Sequence, residues 1–217
     1  MDHLLSVRKR VLEGIVSVDA VKEALEGHLD RAFYVAYLCN AFHYTQHSAT
    51  VTAMAGARAV QRHPDLSRYL FHHAGEELRH EEWALDDLGS LGMAAEAVRI
   101  SRPVPACAAM IGYEYYVAAH ANPIGLFGWL YTLETMGEDL GGRLAVVLAG
   151  MLGDSEGSGV KFLSGHGIAY HEHTADLTHV ISTYVNDPND QADVNHVADV
   201  VADLYVRMFQ QIAESAC

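Results

Sequence analysis

Cysteine is scarce in this chain of 217 residues: three, at positions 39, 107 and 217. So few, so far apart and odd in number, they offer neither a disulfide framework nor a closed thiolate site for zinc, and a reducing cytoplasm is the expected setting. Basic residues are scarce as well, 14 Lys and Arg against 28 Asp and Glu, for a net charge of -14. That balance argues against nucleic acid and against an anionic membrane surface as partners. No apolar run is long enough to cross a bilayer. The opening stretch MDHLLSVRKRVLEGIV reads as a short amphipathic helix and lacks the apolar core and small-residue cleavage site of a signal peptide. Strand pairs, internal repeats and low-complexity tracts are missing too.

What is present is apolar and helical. Half the residues are hydrophobic, which excludes a disordered chain and suits one domain, 1–217, with a substantial core. The periodicity predicts helices near 3–16, 18–28, 30–62, 65–91, 104–121, 124–152, 157–184 and 189–215. Proline falls at the breaks: Pro64, Pro103, Pro105, Pro123 and Pro188. Asp65 offers an N-cap after the first of them. The fold class is therefore all-α, a bundle of about seven to eight helices.

Chemistry is suggested by 14 histidines and by where some of them fall. In the predicted helix 65–91, Leu66, Leu70, His73, Glu77, His80, Ala84 and Leu88 share one face. Its ends are apolar, but its middle holds a carboxylate and imidazoles, whose burial without partners costs several kcal/mol. A metal ion is one way to compensate, and Glu77-x-x-His80 is the spacing used in di-metal carboxylate bundles. Glu134 lies in a strongly apolar segment beside Leu130 and Tyr131, with Glu138 and Asp139 after it expected to be exposed. His166, Tyr170 and His173 follow one another at helical spacing on the apolar face of the predicted helix 157–184. A rival set on that helix, Glu172, Asp176 and His179, occupies a more polar face, where solvation explains it as well as ligation does. On the first long helix His43 and His47 stand one turn apart, each a ligand or an ordinary core histidine. Nitrogen and carboxylate donors without cysteine suit iron or manganese.

The chain resembles the haem-oxygenase-like, TenA-like proteins described as iron-containing redox enzymes. The resemblance covers about residues 30 to 215. It rests on EELRHEEWALDDL (76–88), IGYEYY (111–116), NPIGLFG (122–128) with Leu133-Glu134, FLSGHG (162–167) with Glu172-His173, and DPNDQ (187–191) before the last helix. It implies a haem-oxygenase-like helical bundle and a homodimer. It also implies a non-haem iron oxidase or oxygenase that uses O2 as co-substrate to act on a small organic molecule. The implied ligands are Glu77, His80, Glu134, His166 and His173, with His43 on the first long helix where the family usually has glutamate, and His47 as the next choice. Two ferrous ions are expected, or one. Tyr170 stands where the family has an aspartate, and becomes a ligand, a hydrogen-bond donor or a redox-active side chain. Tyr113, Tyr116 and Trp129 are expected at the substrate cavity. Two other readings use the same fold. One is a cofactor-free or thiamine-type enzyme with Cys39 or Cys107 as nucleophile. The other is a haem or small-ligand binder with His43 or His47 as axial ligand.

Overall fold

A computed structural model describes residues 1–153 and 157–216, with 166–172 and 216 described by their backbone alone. Eleven α-helices are present among the described residues, and no strand: α1 Asp2–Val16, α2 Asp19–Leu25, α3 Arg31–Ala59, α4 Pro64–Glu76, α5 Glu81–Ser90, α6 Ala95–Arg99, α7 Pro105–Ala119, α8 Leu126–Met136, α9 Gly142–Leu152, α10 Lys161–Tyr184 and α11 Pro188–Ala216. The all-α reading holds, and two predicted helices are subdivided.

The first subdivision lies in 65–91. The helix ends at Glu76 and restarts at Glu81, and Arg79 between them has a left-handed φ of 72°. Nothing in Glu77-Leu78-Arg79-His80 breaks a helix by propensity, so the sequence carries no warning. Glu77 and His80 therefore do not project from one helix, as their spacing had implied. They flank a turn, with Glu77 Oε1 3.1 Å from His80 Nδ1. The second lies in 124–152. A 3-10 turn at Pro123–Gly125 leads into α8, and a π turn at Gly137–Gly141 joins α8 to α9. Isolated π turns recur beside functional sites, and this one begins three residues after Glu134. Its acidic residues are not simply exposed: Arg8 of α1 donates to Asp139 and, at 3.0 Å, to Glu138.

The elements pack as their apolar stripes require. Leu4, Val7, Val11 and Ile15 of α1 are buried at helical spacing, and the helix lies on α11 and α8. Helix α3 packs against α4, α5 and α7, and α8 against α10 and α11. Gly128 lets α8 and α11 meet backbone to backbone: a Cβ there would sit 2.1 Å from the Val194 carbonyl oxygen. Side chains satisfy several helix starts. Asp30 accepts from the Phe33 N–H at the start of α3. His63, not Asp65, is the N-cap of α4, with Pro64 at the first helical position. The N-terminus of α10 is capped from a different helix, because buried Asp87 of α5 accepts from the Lys161 and Phe162 N–H groups at 2.7 and 2.8 Å. No described helix is long and apolar enough to cross a membrane.

Candidate metal centre

Four elements converge on one buried cluster. Helix α4 brings His73, Glu76 and, at its C-cap, Glu77. Helix α8 brings Glu134 and α10 brings His173, while α3 forms the facing wall with Tyr44, Thr45 and Ser48. His73 is 1% exposed and Glu134 5%. His73 Nε2 lies 3.3 Å from Glu134 Oε1, and its ring stacks on Tyr69 at 5.8 Å between centroids. His173 reaches the same place from above, with Nε2 3.6 Å from Glu76 Oε1 and Nδ1 3.9 Å from Glu134 Oε2. His80 stacks on Trp83 at 4.0 Å beyond Glu77.

Two overlapping sets of three donors are close enough to share an ion. In His73, Glu76 and His173, and again in His73, Glu77 and Glu134, the ligand atoms all lie within 4.8 Å of one another. His73 Nδ1 and Glu134 Oε2 are buried and have no hydrogen-bond partner. Leaving such atoms unpaired costs about 1–3 kcal/mol each, and a cation bound between the donors removes that cost. The charges agree: three carboxylates meet two imidazoles here. Burial opposes protonation of His73, but the hydrogen bond and charge of Glu134, with Glu77 and Glu76 behind it, outweigh that and raise its pKa above the ordinary value. Burial, opposed by His73, holds the pKa of Glu134 above the usual carboxylate range. A mixed N and O donor set of this kind fits iron.

The structure thus brings together Glu77, His80, Glu134 and His173 of the expected ligands. His166, Tyr170 and Glu172 lie outside the residues whose side chains are described. Asp176 and His179 are exposed, as the solvated-face reading has them. His43 and His47 belong to another region: His43 Nε2 meets Ser101 Oγ at 2.8 Å, and His47 Nδ1 meets the Tyr115 hydroxyl at 3.0 Å. Burial lowers the pKa of both imidazoles. Of the aromatic residues expected at the cavity, Trp129 lines it, while Tyr113 and Tyr116 stack on each other on α7 away from its wall, with Tyr116 exposed. His73 and Glu76 join the cluster without having been singled out as ligands. His73 stood on the stripe that drew attention to Glu77, and His73-x-x-Glu76 is the same spacing in reverse order.

A search of curated proteins found no match. Among solved structures, a domain of unknown function with a heme oxygenase-like fold from Shewanella denitrificans OS217 is 25% identical, with a TM-score of 0.87 over 97% of this chain and 90% of that one. A TenA homolog from Pseudomonas syringae pv. tomato is 15% identical, with a TM-score of 0.78 over 98% and 92% of the two chains. A TenA homologue from P. horikoshii OT3 is also 15% identical, with a TM-score of 0.71 over 98% and 97%. At 15% identity these two likenesses concern the fold alone. The model of one family, described as iron-containing redox enzymes, matches residues 35–206, and on that extent the chain belongs to the iron-containing redox enzyme family, with a haem-oxygenase-like fold.

Proposed function

We propose that the chain is a non-haem iron enzyme that uses O2 to oxidise a small organic substrate in the cavity at His73 and Glu134. The observation that carries this reading is the pair of orphaned, buried ligand atoms, His73 Nδ1 and Glu134 Oε2, set among Glu76, Glu77 and His173. His73 belongs to both donor sets, with Glu77 and Glu134 in one and Glu76 and His173 in the other, and its unpartnered Nδ1 would bind the ion while Nε2 stays on Glu134 Oε1. His80, held against Glu77, would orient that carboxylate, as outer-shell partners do. His166 remains an expected ligand, seven residues before His173 on one continuous helix. Bound iron would supply one-electron redox chemistry with O2. The protein would supply the rest: a dry site, fixed donors, and a proton held between His73 Nε2 and Glu134 Oε1.

The cysteine reading has less behind it. Burial pushes the Cys107 thiol up to about 12 and raises that of Cys39, so neither is poised as a thiolate. Neither lines the cavity. Cys217 lies outside the described residues. A haem ligated by His43 or His47 would leave the acidic cluster unexplained.

The test is iron content per chain after anaerobic reconstitution with ferrous iron and desalting. About two irons per chain supports a dinuclear centre and about one a single site. His73→Ala is expected to abolish uptake while leaving the far-ultraviolet circular dichroism unchanged. No iron in the parent protein, or undiminished iron in the variant, overturns the assignment.

A further inference from the structure

The opening helix carries three cations in a row, Arg8, Lys9 and Arg10, and they do different things. Lys9 and Arg10 are exposed and pair with Glu13 and Asp199. Arg8 is half-buried and reaches across to the π turn that follows α8. Its Nε donates to Asp139 Oδ2 at 2.8 Å, and its Nη2 donates to the other oxygen of Asp139 and, at 3.0 Å, to Glu138 Oε2. The same guanidinium meets the Tyr131 hydroxyl. Burial raises the pKa of that hydroxyl, and the charge and hydrogen bond of Arg8 oppose the rise. One side chain of α1 therefore holds residues before and after Glu134.

The turn it holds is weakly determined by its own sequence. Gly137-Glu138-Asp139-Leu140-Gly141 is followed by Gly142, and glycine is the poorest helix former after proline. Contact from two flanks fixes it instead. Arg8 grips it from α1. On the other flank it packs on α10, where a Cβ at Gly141 would stand 3.2 Å from the Leu163 carbonyl oxygen. Helix α10 is also the element that brings His173 to the cluster. A π turn takes up one residue more than an α turn, so its position sets the rotation of the helix on either side. Moved to the far side of Glu134, it would swing that carboxylate by about 100° round the axis, the rotation per residue at 3.6 residues per turn. Glu134 would then leave His73.

We propose that Arg8 is a positioning residue for the metal centre: by gripping the π turn from α1, it fixes the rotation of α8 and so the direction of Glu134 toward His73 and His173. This rests on the reading of the cluster as a metal site, but the grip can be measured without metal. The sign of the effect separates position from charge. Removing a positive charge near a cation site should by itself tighten cation binding. Loss of the grip should weaken it.

The experiment uses Arg8→Met, which keeps an apolar stem against α8, and Arg8→Lys, which keeps the charge but not the paired contacts. Metal-free protein is titrated anaerobically with ferrous iron, and amide hydrogen exchange is followed on the same preparation. Arg8→Met should bind iron about tenfold more weakly, the size of effect expected when an outer partner of a ligand is lost. Its amides at 134–141 should exchange faster while those of α11 exchange as in the parent. Arg8→Lys should shift both readings the same way by less, and it decides the matter if Arg8→Met does not fold. Iron binding that is unchanged or tighter overturns the inference and leaves the metal site standing. Exchange at 134–141 that is unchanged, or faster only in step with α11, also overturns it. If the parent takes up no iron, the proposed function falls and the exchange alone decides the grip.

Discussion

Glu134 and Glu114 look alike in isolation. Each is a glutamate in an apolar helical segment, and each is buried, at 5% and 1% exposure. Their surroundings differ. Glu134 faces His73 and His173 from two other helices. Glu114, on α7, has no hydrogen-bond partner for either oxygen. Burial pushes its pKa well above the usual carboxylate range, opposed by the Trp129 indole, so the core favours its neutral form. Burial alone therefore does not make a ligand. What separates the two is whether other helices bring nitrogen donors to the same point.

The sharpest way to break this comparison is to give both positions the same isosteric amide. Glu134→Gln should lose essentially all iron uptake, since it removes the anionic donor shared by the two histidines. Glu114→Gln should bind iron as the parent does, because Glu114 stands in neither of the two donor sets. Equal iron contents in the two variants would show that the distinction is false.

Gly128 tests whether the position of α8 is what sets Glu134 apart. A methyl at 128 would stand 2.1 Å from the Val194 oxygen and 2.7 Å from the Ala198 nitrogen, both backbone atoms of α11. Gly128→Ala should cost at least about 3 kcal/mol of stability, at the upper end for overpacking, and weaken iron binding with it. Denaturant unfolding measures the first and metal titration the second. A variant as stable as the parent would mean that the two backbones do not meet there.

Asp87 extends the comparison to a third buried carboxylate, one paired with backbone. Burial raises its pKa to about 7, opposed by the Phe162 and Lys161 N–H groups. The unfolded value is about 3.9, so between these limits the folded chain binds the extra proton. The stabilisation is full below about pH 4 and is lost as the pH rises through 7. Asp87→Asn should flatten the fall in melting temperature between pH 5 and 8. An unchanged slope in the variant would remove Asp87 as its source.

The smallest effect is expected at the α4–α5 break. Arg79 is exposed and left-handed, a conformation that costs a non-glycine residue roughly 1–2 kcal/mol. Arg79→Gly should stabilise the protein by up to about 1 kcal/mol in denaturant unfolding, offset in part by the entropy of the unfolded chain. Iron uptake should not change. Destabilisation would indicate that the Arg79–Glu82 contact at 2.7 Å outweighs the strain.

Particular residues show how far the sequence could be read. The stripe through His73, Glu77 and His80 lies on the helix pair that carries part of the donor cluster, and Glu134 and His173 were visible as polar groups on apolar faces. His43 and His47 were harder to orient, because α3 is buried on several sides: Leu38, Ala41, Phe42, Tyr44 and Thr45 all lie inside. A helix covered that way has no apolar stripe to tell which flank meets the site. The turn at 77–80 was invisible for a different reason. Its residues are acceptable helix formers, and propensity differences of tenths of a kcal/mol give way to burial and ring stacking worth more.

By itself the sequence determined the all-α class, the approximate helix segments and the presence of buried carboxylates and imidazoles, because periodicity and proline placement are local and each helix must hide its own apolar face. Only the tertiary structure decided which of those groups meet. It set His73 and Glu76 beside Glu134 and His173, turned His43 and His47 toward Ser101 and Tyr115, and put Glu114 by the Trp129 indole, outside both donor sets. Convergence at one point depends on where helices far apart in sequence cross, and that is fixed by side-chain packing and by close contacts such as the one at Gly128, which no local pattern records.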